Sequence, residues 1–499
     1  MVPGAPPRVL ADETPLGGSR IDVGRRIGWL LRTARQLSPT PVRLQDIADH
    51  AGVSVAVVHR AETGAVRSGR VASSYEEVLG LAPGTVRAPI DILCRTFAYS
   101  PADRDPGPDV TTVAEMSALL GRVRASPHGG DWLAWARAFS GPAALGLPVD
   151  LAASLLHRLV GEMDRSVASA YTTRYEALAL MRCGPYGEVM LDVARERLAE
   201  PHVQFLADLM SAVGEHVSPD ALAWCLELLR DPRDRVVTAA CLGLENMASI
   251  SGDPDFWSPL VRPLLEIYNE TEPDSEQWRW LSHVLRLVPP AELSPAPVRP
   301  VRALAPGAQS LVGMAGLHEA HWHESEVLAR SVTSDLGLRE QPMLARLVHD
   351  IVFGPHETRA VTGYMLLTAL PDLAAAVADE VVHVVEAHPD PVIRDRAGRR
   401  LPAFTHAPPD RLHRWVSGRD ERLRRVGLRV AGTSGVLLPD EVLIDAIRDG
   451  DTLAALAAAG LSGHALVARL ADDESLAEDV RGAAAWWLRN GTRVVDPAV

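Results

Sequence analysis

The 499-residue chain has no lysine at all, so its 50 basic side chains are all arginine. The deficit accompanies a wealth of Ala, Leu, Val, Gly and Pro and reads as a codon bias towards GC, with no mechanistic weight. Cysteine is scarce. Cys94, Cys183, Cys225 and Cys241 stand far apart without a CxxC pair, which argues against a zinc knuckle or a disulfide framework and for a reducing cytoplasm. No run approaches eighteen apolar residues, and the first nineteen residues lack the apolar stretch of a signal peptide, so neither membrane span nor export is expected. Also missing are a GxxxxGK[ST] phosphate loop, a GxGxxG after a strand and a GxSxG elbow, so no catalytic residue and no cofactor is assigned.

What is present is an ordinary folded composition, 47% hydrophobic and 23% charged, in a chain long enough for two to four domains. The net charge of -14 is unevenly spread. Nine arginines and four acids between residues 20 and 70 give that segment +5, leaving -19 for the rest. A small basic module on a large acidic body suggests that only the module approaches phosphate.

Within that module, LQDIADHAGVSVAVVHRAETG (Leu44 to Gly64) reads as two short helices around a bend. Ala48 is small where two helix backbones must nearly touch, and Gly52 accepts the left-handed conformation of the turn. Ile47, Val53 and Val58 can share a core, and Ser54 is a natural N-cap whose hydroxyl would meet a free backbone N–H. Upstream, Val23 to Ser38 is amphipathic, with Ile27, Leu30, Leu31 and Ala34 on one face; SSYEEVLGLAPGTV (Ser73 to Val86) follows downstream. Over about Ile21 to Leu93 this resembles a helix-turn-helix of the Cro/lambda-repressor-like kind, the xenobiotic-response-element family of regulators. Leu44 stands where that family often has a phosphate-binding Gln, and the second helix also resembles the lac-repressor type. The resemblance implies major-groove docking of Ser54 to Thr63. Val55, Ala56, His59 and Arg60 would then read bases, Arg60 as a bidentate guanine donor. Arg43, Ser54, Thr63, Arg67 and Arg70 would hold phosphate. One such module reads few base pairs, so a homodimer on double-stranded DNA is expected.

The remainder has helical periodicity nearly throughout. A template of an apolar residue, a small residue four later and an apolar residue four later again recurs at Ile393/Ala397/Leu401, Leu423/Gly427/Ala431, Leu453/Ala457/Leu461 and Val480/Ala484/Leu488. Thr173, Val203 and Val236 continue it at similar spacing. This resembles HEAT-like repeats over most of residues 165–499, which implies an α-solenoid with an extended binding surface for a protein or small-molecule effector; a less regular helical array is the alternative. The expected fold is thus all-α, an N-terminal helix-turn-helix domain followed by a HEAT-like α-solenoid. Its parts are a disordered 1–19, a DNA-binding domain at 20–98, a linker at 99–112, a helical subdomain at 113–288, a Pro-rich connection at 289–308 and a repeat subdomain at 309–499.

HEAHWHESE (His318 to Glu326) puts His318 and His321 on one helical face but lacks H-E-x-x-H spacing; it reads as a solvated helix end, and no metal ligand is assigned. Arginines crowd residues 394–429, among them Arg394, Arg396, Arg399, Arg400, Arg424 and Arg425, as a second basic patch for DNA backbone, a nucleotide or an acidic partner, or as ordinary ion pairs. HEAT-like solenoids include DNA glycosylases, and Trp415 beside the arginines fits that reading, although the acidity of the body argues against it. The expectation is a cytoplasmic, nucleoid-associated transcriptional regulator, not an enzyme, with a protein-interaction scaffold as the alternative.

Overall fold

A computed structural model describes residues 9–99, 112–125, 127–141, 146–293, 298–305, 315–339, 341–354, 356–406 and 409–496. Among these the chain is all-α: 27 α-helices, one π-helix and one 3-10 helix, with no strand beyond a single parallel bridge between Ser166 and Val494. No described helix is long and apolar enough to cross a membrane.

Five helices form the head: α1 (Val23–Leu37), α2 (Leu44–Ala51), α3 (Val55–Glu62), α4 (Gly69–Leu79) and α5 (Arg87–Thr96). Asp22 caps α1 by accepting the Arg25 N–H at 2.9 Å, and Ile27, Leu30, Leu31 and Ala34 are buried along one stripe. Gly52 ends α2 at φ 62°, its N–H shared between the Ala48 and Asp49 carbonyls, as the required left-handed turn demands. Ile47, Ala48 and Val58 are fully buried around it. A second close approach carries no familiar motif: a Cβ at Gly28 would fall 2.5 Å from the Gly64 backbone N and 2.8 Å from the Glu62 carbonyl oxygen. Only glycine lets α1 lie directly on the end of α3. A buried polar knot completes the head, with Arg35 donating to Glu62 at 2.6 and 2.9 Å and the Tyr75 hydroxyl donating to the same carboxylate at 2.8 Å.

Residues 9–19, expected to be disordered, are instead part of the fold. Leu10 and Asp12 are buried, Arg346 donates to the Thr14 and Pro15 carbonyls at 2.6 and 3.0 Å, and Arg359 donates to the Leu16 and Gly18 carbonyls. Pro and Gly tell only that a segment makes no regular structure of its own; partners more than 300 residues away supply its hydrogen bonds.

The head is docked on the trunk rather than tethered beside it. Arg26, fully buried in α1, lies 2.8 Å from Asp12 and 2.5 Å from Asp350, while Trp29 donates from Nε1 to Gln341 at 2.9 Å. On the other side, α5 packs against helices Ala168–Cys183, Asp234–Ser251 and Glu357–Thr368, and its Arg95 pairs with Glu176 at 2.7 Å and Glu215 at 2.6 Å. Both halves of the trunk therefore grip the head. The expected linker falls largely on 100–111, outside the described residues.

In the trunk, helix Ala168–Cys183 is a hub that packs on Gly129–Ser140, Val149–Met163, Gly187–Ala199, Ala207–Val213 and Glu357–Thr368. The chain end returns to this region. Trp486 and Trp487, on the last helix Glu478–Asn490, meet Phe205 edge-on at 6.4 and 5.7 Å, and Asp496 accepts from Arg174 at 3.1 Å. A simple stack touches only sequence neighbours; here the array curls until its ends meet. The repeat template marks real helices but misplaces their faces. Ile393, Ala397 and Leu401 are fully buried, yet Leu453 and Leu488 are 52% and 53% exposed, and Val203 lies in a connection. Alanine-rich helices bury more than one stripe, so tertiary packing chooses the rotation. The Pro-rich connection folds back on the preceding hairpin, with the Tyr268 hydroxyl donating to the Ala303 carbonyl at 2.7 Å.

Candidate nucleic-acid interface

The outer face of α3 is open. Ser54, Ala56, His59 and Arg60 are exposed, and Val55 and Thr63 are half-buried at its edges. The helix packs inward on α1 and α2. Ser54 occupies the N-cap, but its hydroxyl makes no capping bond, contrary to expectation, so the first N–H groups of α3 have no side-chain acceptor there. Thr63 donates instead to the Arg60 carbonyl at 3.1 Å. Arg43 is exposed at the N-cap of α2, where its backbone N–H donates to Asp46 at 2.7 Å. Arg70 is exposed on α4 with a guanidinium nitrogen 2.9 Å from where a Gly52 Cβ would sit, beside the α2–α3 turn. Arg43, Arg60 and Arg70 are thus the exposed arginines of α2, α3 and α4 in this part of the head.

Arg67 departs from its expected role. Its side chain, 15% exposed, lies 2.7 Å from Asp91, which also meets Arg137 at 2.5 Å and Arg87 at 3.6 Å. Burial opposes ionisation of Asp91, yet Arg137, Arg87 and Arg67 together hold its carboxyl below the usual carboxylate range. Arg67 therefore spends its charge on fastening α5, not on phosphate. Arg26 and Arg35 are likewise consumed inside, so the cationic surplus of the head is smaller at its surface than in its sequence.

The second basic patch resolves into structural contacts. Arg394 donates to the His388 carbonyl at 2.5 Å and Arg396 to those of Phe353 and Gly354 at 2.7 and 3.0 Å. Arg399 pairs with Asp395 at 2.9 Å and Arg400 with Glu357. Arg424 reaches Asp449 at 2.9 Å and Asp451 at 3.2 Å, and Arg425 meets Asp451 too. Trp415 is buried and donates from Nε1 to Glu386 at 2.8 Å, so it presents no aromatic face to a base. What remains nearby is an apolar cleft of about 320 Å³ between Phe205, Pro402, Leu453 and Leu461, with Arg399 and Arg429 in its wall.

No family model and no curated protein matches the chain. Among solved structures it is similar to the crystal structure of an engineered protein, at 15% identity over 94% of this chain and 98% of that one, with a TM-score of 0.17. So low a score carries no argument about fold or function.

Proposed function

We propose that the chain is a DNA-binding transcriptional regulator that presents the outer face of α3 to the major groove of duplex DNA and acts as a homodimer. The observation that carries the reading is that Ser54, Ala56, His59 and Arg60 are exposed on α3, with exposed Arg70 beside the α2–α3 turn. The trunk then holds the head and offers an effector site, for which the cleft beside Phe205 and Leu453 has the volume and apolar lining of a small-molecule pocket. Work inside the cell, on the nucleoid, belongs to the same reading.

The test is genome-wide mapping of sites bound by the full chain, repeated with Ala56→Glu, which puts a negative charge on an exposed position of α3. Discrete peaks lost in the variant support the reading. Peaks unchanged by the substitution, or none above background for the wild type, refute it.

One observation favours a scaffold instead: the head is gripped by buried ion pairs from both trunk halves, as a fixed structural part would be. Co-purified proteins whose capture is abolished by Ala56→Glu, in the absence of bound DNA sites, would decide for it.

A further inference from the structure

Helix Ala315–Asp335 carries His321 and Glu324 one turn apart, and helix Pro371–Ala387 ends at His388, its C-cap. The two helices pack on each other and bring these three side chains together. His388 Nε2 lies 3.0 Å from Glu324 Oε2, His321 Nδ1 lies 3.6 Å from Glu324 Oε1, and one ligand atom from each residue falls within 4.8 Å of the other two. We propose that His321, Glu324 and His388 form a binding site for a divalent transition-metal ion, zinc by preference, with three protein ligands and an open fourth position.

Three features support this. First, zinc bonds of about 2.0–2.1 Å in tetrahedral geometry separate ligand atoms by about 3.3 Å, and the two Glu324 oxygens lie 3.0 Å from His388 Nε2 and 3.6 Å from His321 Nδ1, one imidazole to each oxygen, with one ligand atom of each residue within 4.8 Å of the others. Two imidazoles and one carboxylate without a thiolate make a borderline donor set that suits zinc better than calcium or magnesium. Second, both ring nitrogens of His321 are shut off from solvent and make no hydrogen bond. The ring is held flat against Phe353 at 5.1 Å and 10°, so it is fixed in place while its acceptor nitrogen goes unused. Leaving such a group desolvated is costly, and a metal bond removes the cost.

Third, the surroundings of His388 suit a ligand. Its Nδ1 accepts the Asp390 N–H at 3.1 Å and also lies 3.4 Å from the Asp390 carbonyl oxygen. Metal binding through Nε2 would place the ring proton on Nδ1, which then gives up the Asp390 N–H and takes the Asp390 carbonyl oxygen, at 3.4 Å, as its acceptor. The negative end of helix Pro371–Ala387 faces the same place, which favours a cation. Glu324 is 42% exposed, so the carboxylate can be reached from solvent. Phe353 closes the π-helix His349–Phe353, whose Asp350 grips Arg26 of the head, so the site adjoins the trunk's hold on α1.

The site stands independently of the DNA reading, and its test uses zinc alone. Metal-stripped full chain, free of any histidine tag and carrying Cys183→Ser to remove an exposed thiol, is titrated with Zn²⁺ against a chromophoric chelator. One equivalent should bind. Glu324→Gln and His388→Asn should each weaken binding more than about tenfold, while His323→Ala, whose side chain is 74% exposed on the same helix, should leave it unchanged. Glu324→Gln alters a partly exposed position, and its circular-dichroism melt without metal should match the parent, separating lost ligation from lost fold. Absence of stoichiometric binding by the parent, or equal losses in His323→Ala and Glu324→Gln, would overturn the proposal.

Discussion

Arg26 of α1 and Asp350 of the π-helix, 324 residues apart in the chain, meet at 2.5 Å with essentially no solvent at either side chain. Asp350 also binds Arg359 at 2.5 Å and lies 3.5 Å from Arg346. Asp350, with Asp12 on the far side of Arg26, therefore neutralises a junction of three arginines where the head, the N-terminal segment and the trunk converge.

Removing that carboxylate should cost more than removing one of its partners. Asp350→Asn leaves Arg346 and Arg359 without their shared carboxylate and Arg26 with Asp12 alone, an expected loss of about 3–5 kcal/mol. Arg346→Met, which leaves Asp350 with Arg26 and Arg359 and strands no carboxylate, should cost less. Urea unfolding of the two variants measures both, and equal losses would contradict the assignment.

Stability should respond to pH in two opposed windows. Despite burial, Arg26, His349, Arg359 and Arg346 hold the Asp350 carboxyl well below its ordinary 3.8. Its stabilisation is therefore present above that value and lost as pH falls below it. Asp164 behaves oppositely: burial outweighs Arg197 and pushes its carboxyl up to about 7, so its contribution is full below about 3.9 and declines as pH rises to about 7. Asp164→Asn should flatten the decline between pH 4 and 7 without altering acid unfolding below it. Unfolding free energies across both windows check this, and an unchanged slope would refute it.

Two glycine substitutions should differ in sign. Gly28→Ala drives a methyl into the Gly64 and Glu62 backbone and should destabilise by about 1–3 kcal/mol or more. Gly121→Ala, within helix Val113–Ala125 and with nothing within 4 Å of the new methyl, should stabilise by about 0.5–1 kcal/mol. Thermal melts of the pair read the contrast.

On the DNA reading, three head arginines should separate into three behaviours. Arg60→Ala should lose about 1–3 kcal/mol of preference for the specific duplex over a scrambled one. Arg43→Ala should weaken both duplexes alike and lower the salt slope by about one unit. Arg67→Ala, pinned to Asp91, should lower thermal stability and leave the salt slope unchanged. Anisotropy titrations at several salt concentrations distinguish them; a shared response would refute the division of roles.

Arg424→Ala should leave DNA affinity unchanged while destabilising the trunk by about 1–3 kcal/mol, because it strips a partner from buried Asp451. A fall in affinity without a fall in stability would restore the patch as an anion site.

Much of the head was legible because its signals are local. An apolar stripe at helical spacing set α1, and the glycine between two short helices required the left-handed turn seen at Gly52. Gly24, whose Cβ would fall 2.5 Å from the Gly64 carbonyl oxygen, and Gly28 stand one turn apart on α1 and hint at a close approach, but nothing in the sequence says what approaches them. The roles of Arg67 and of the 394–429 arginines were misleading for a related reason: a count of charges carries no information about which acids fold beside them. His321 shows the same limit, since its neighbour His388 stands 67 residues later on another helix.

By itself, then, the sequence determined the all-helical class, the first helices of the head and the shape of the α2–α3 turn, because periodicity and backbone sterics act over a few residues. Only the tertiary structure decided that the N-terminal segment is clasped, that the head is seated between trunk halves, that the array curls onto its own beginning, and which arginines remain free to meet another molecule. These depend on side chains hundreds of positions apart sharing one buried volume, where each charge must find a partner or stay in water.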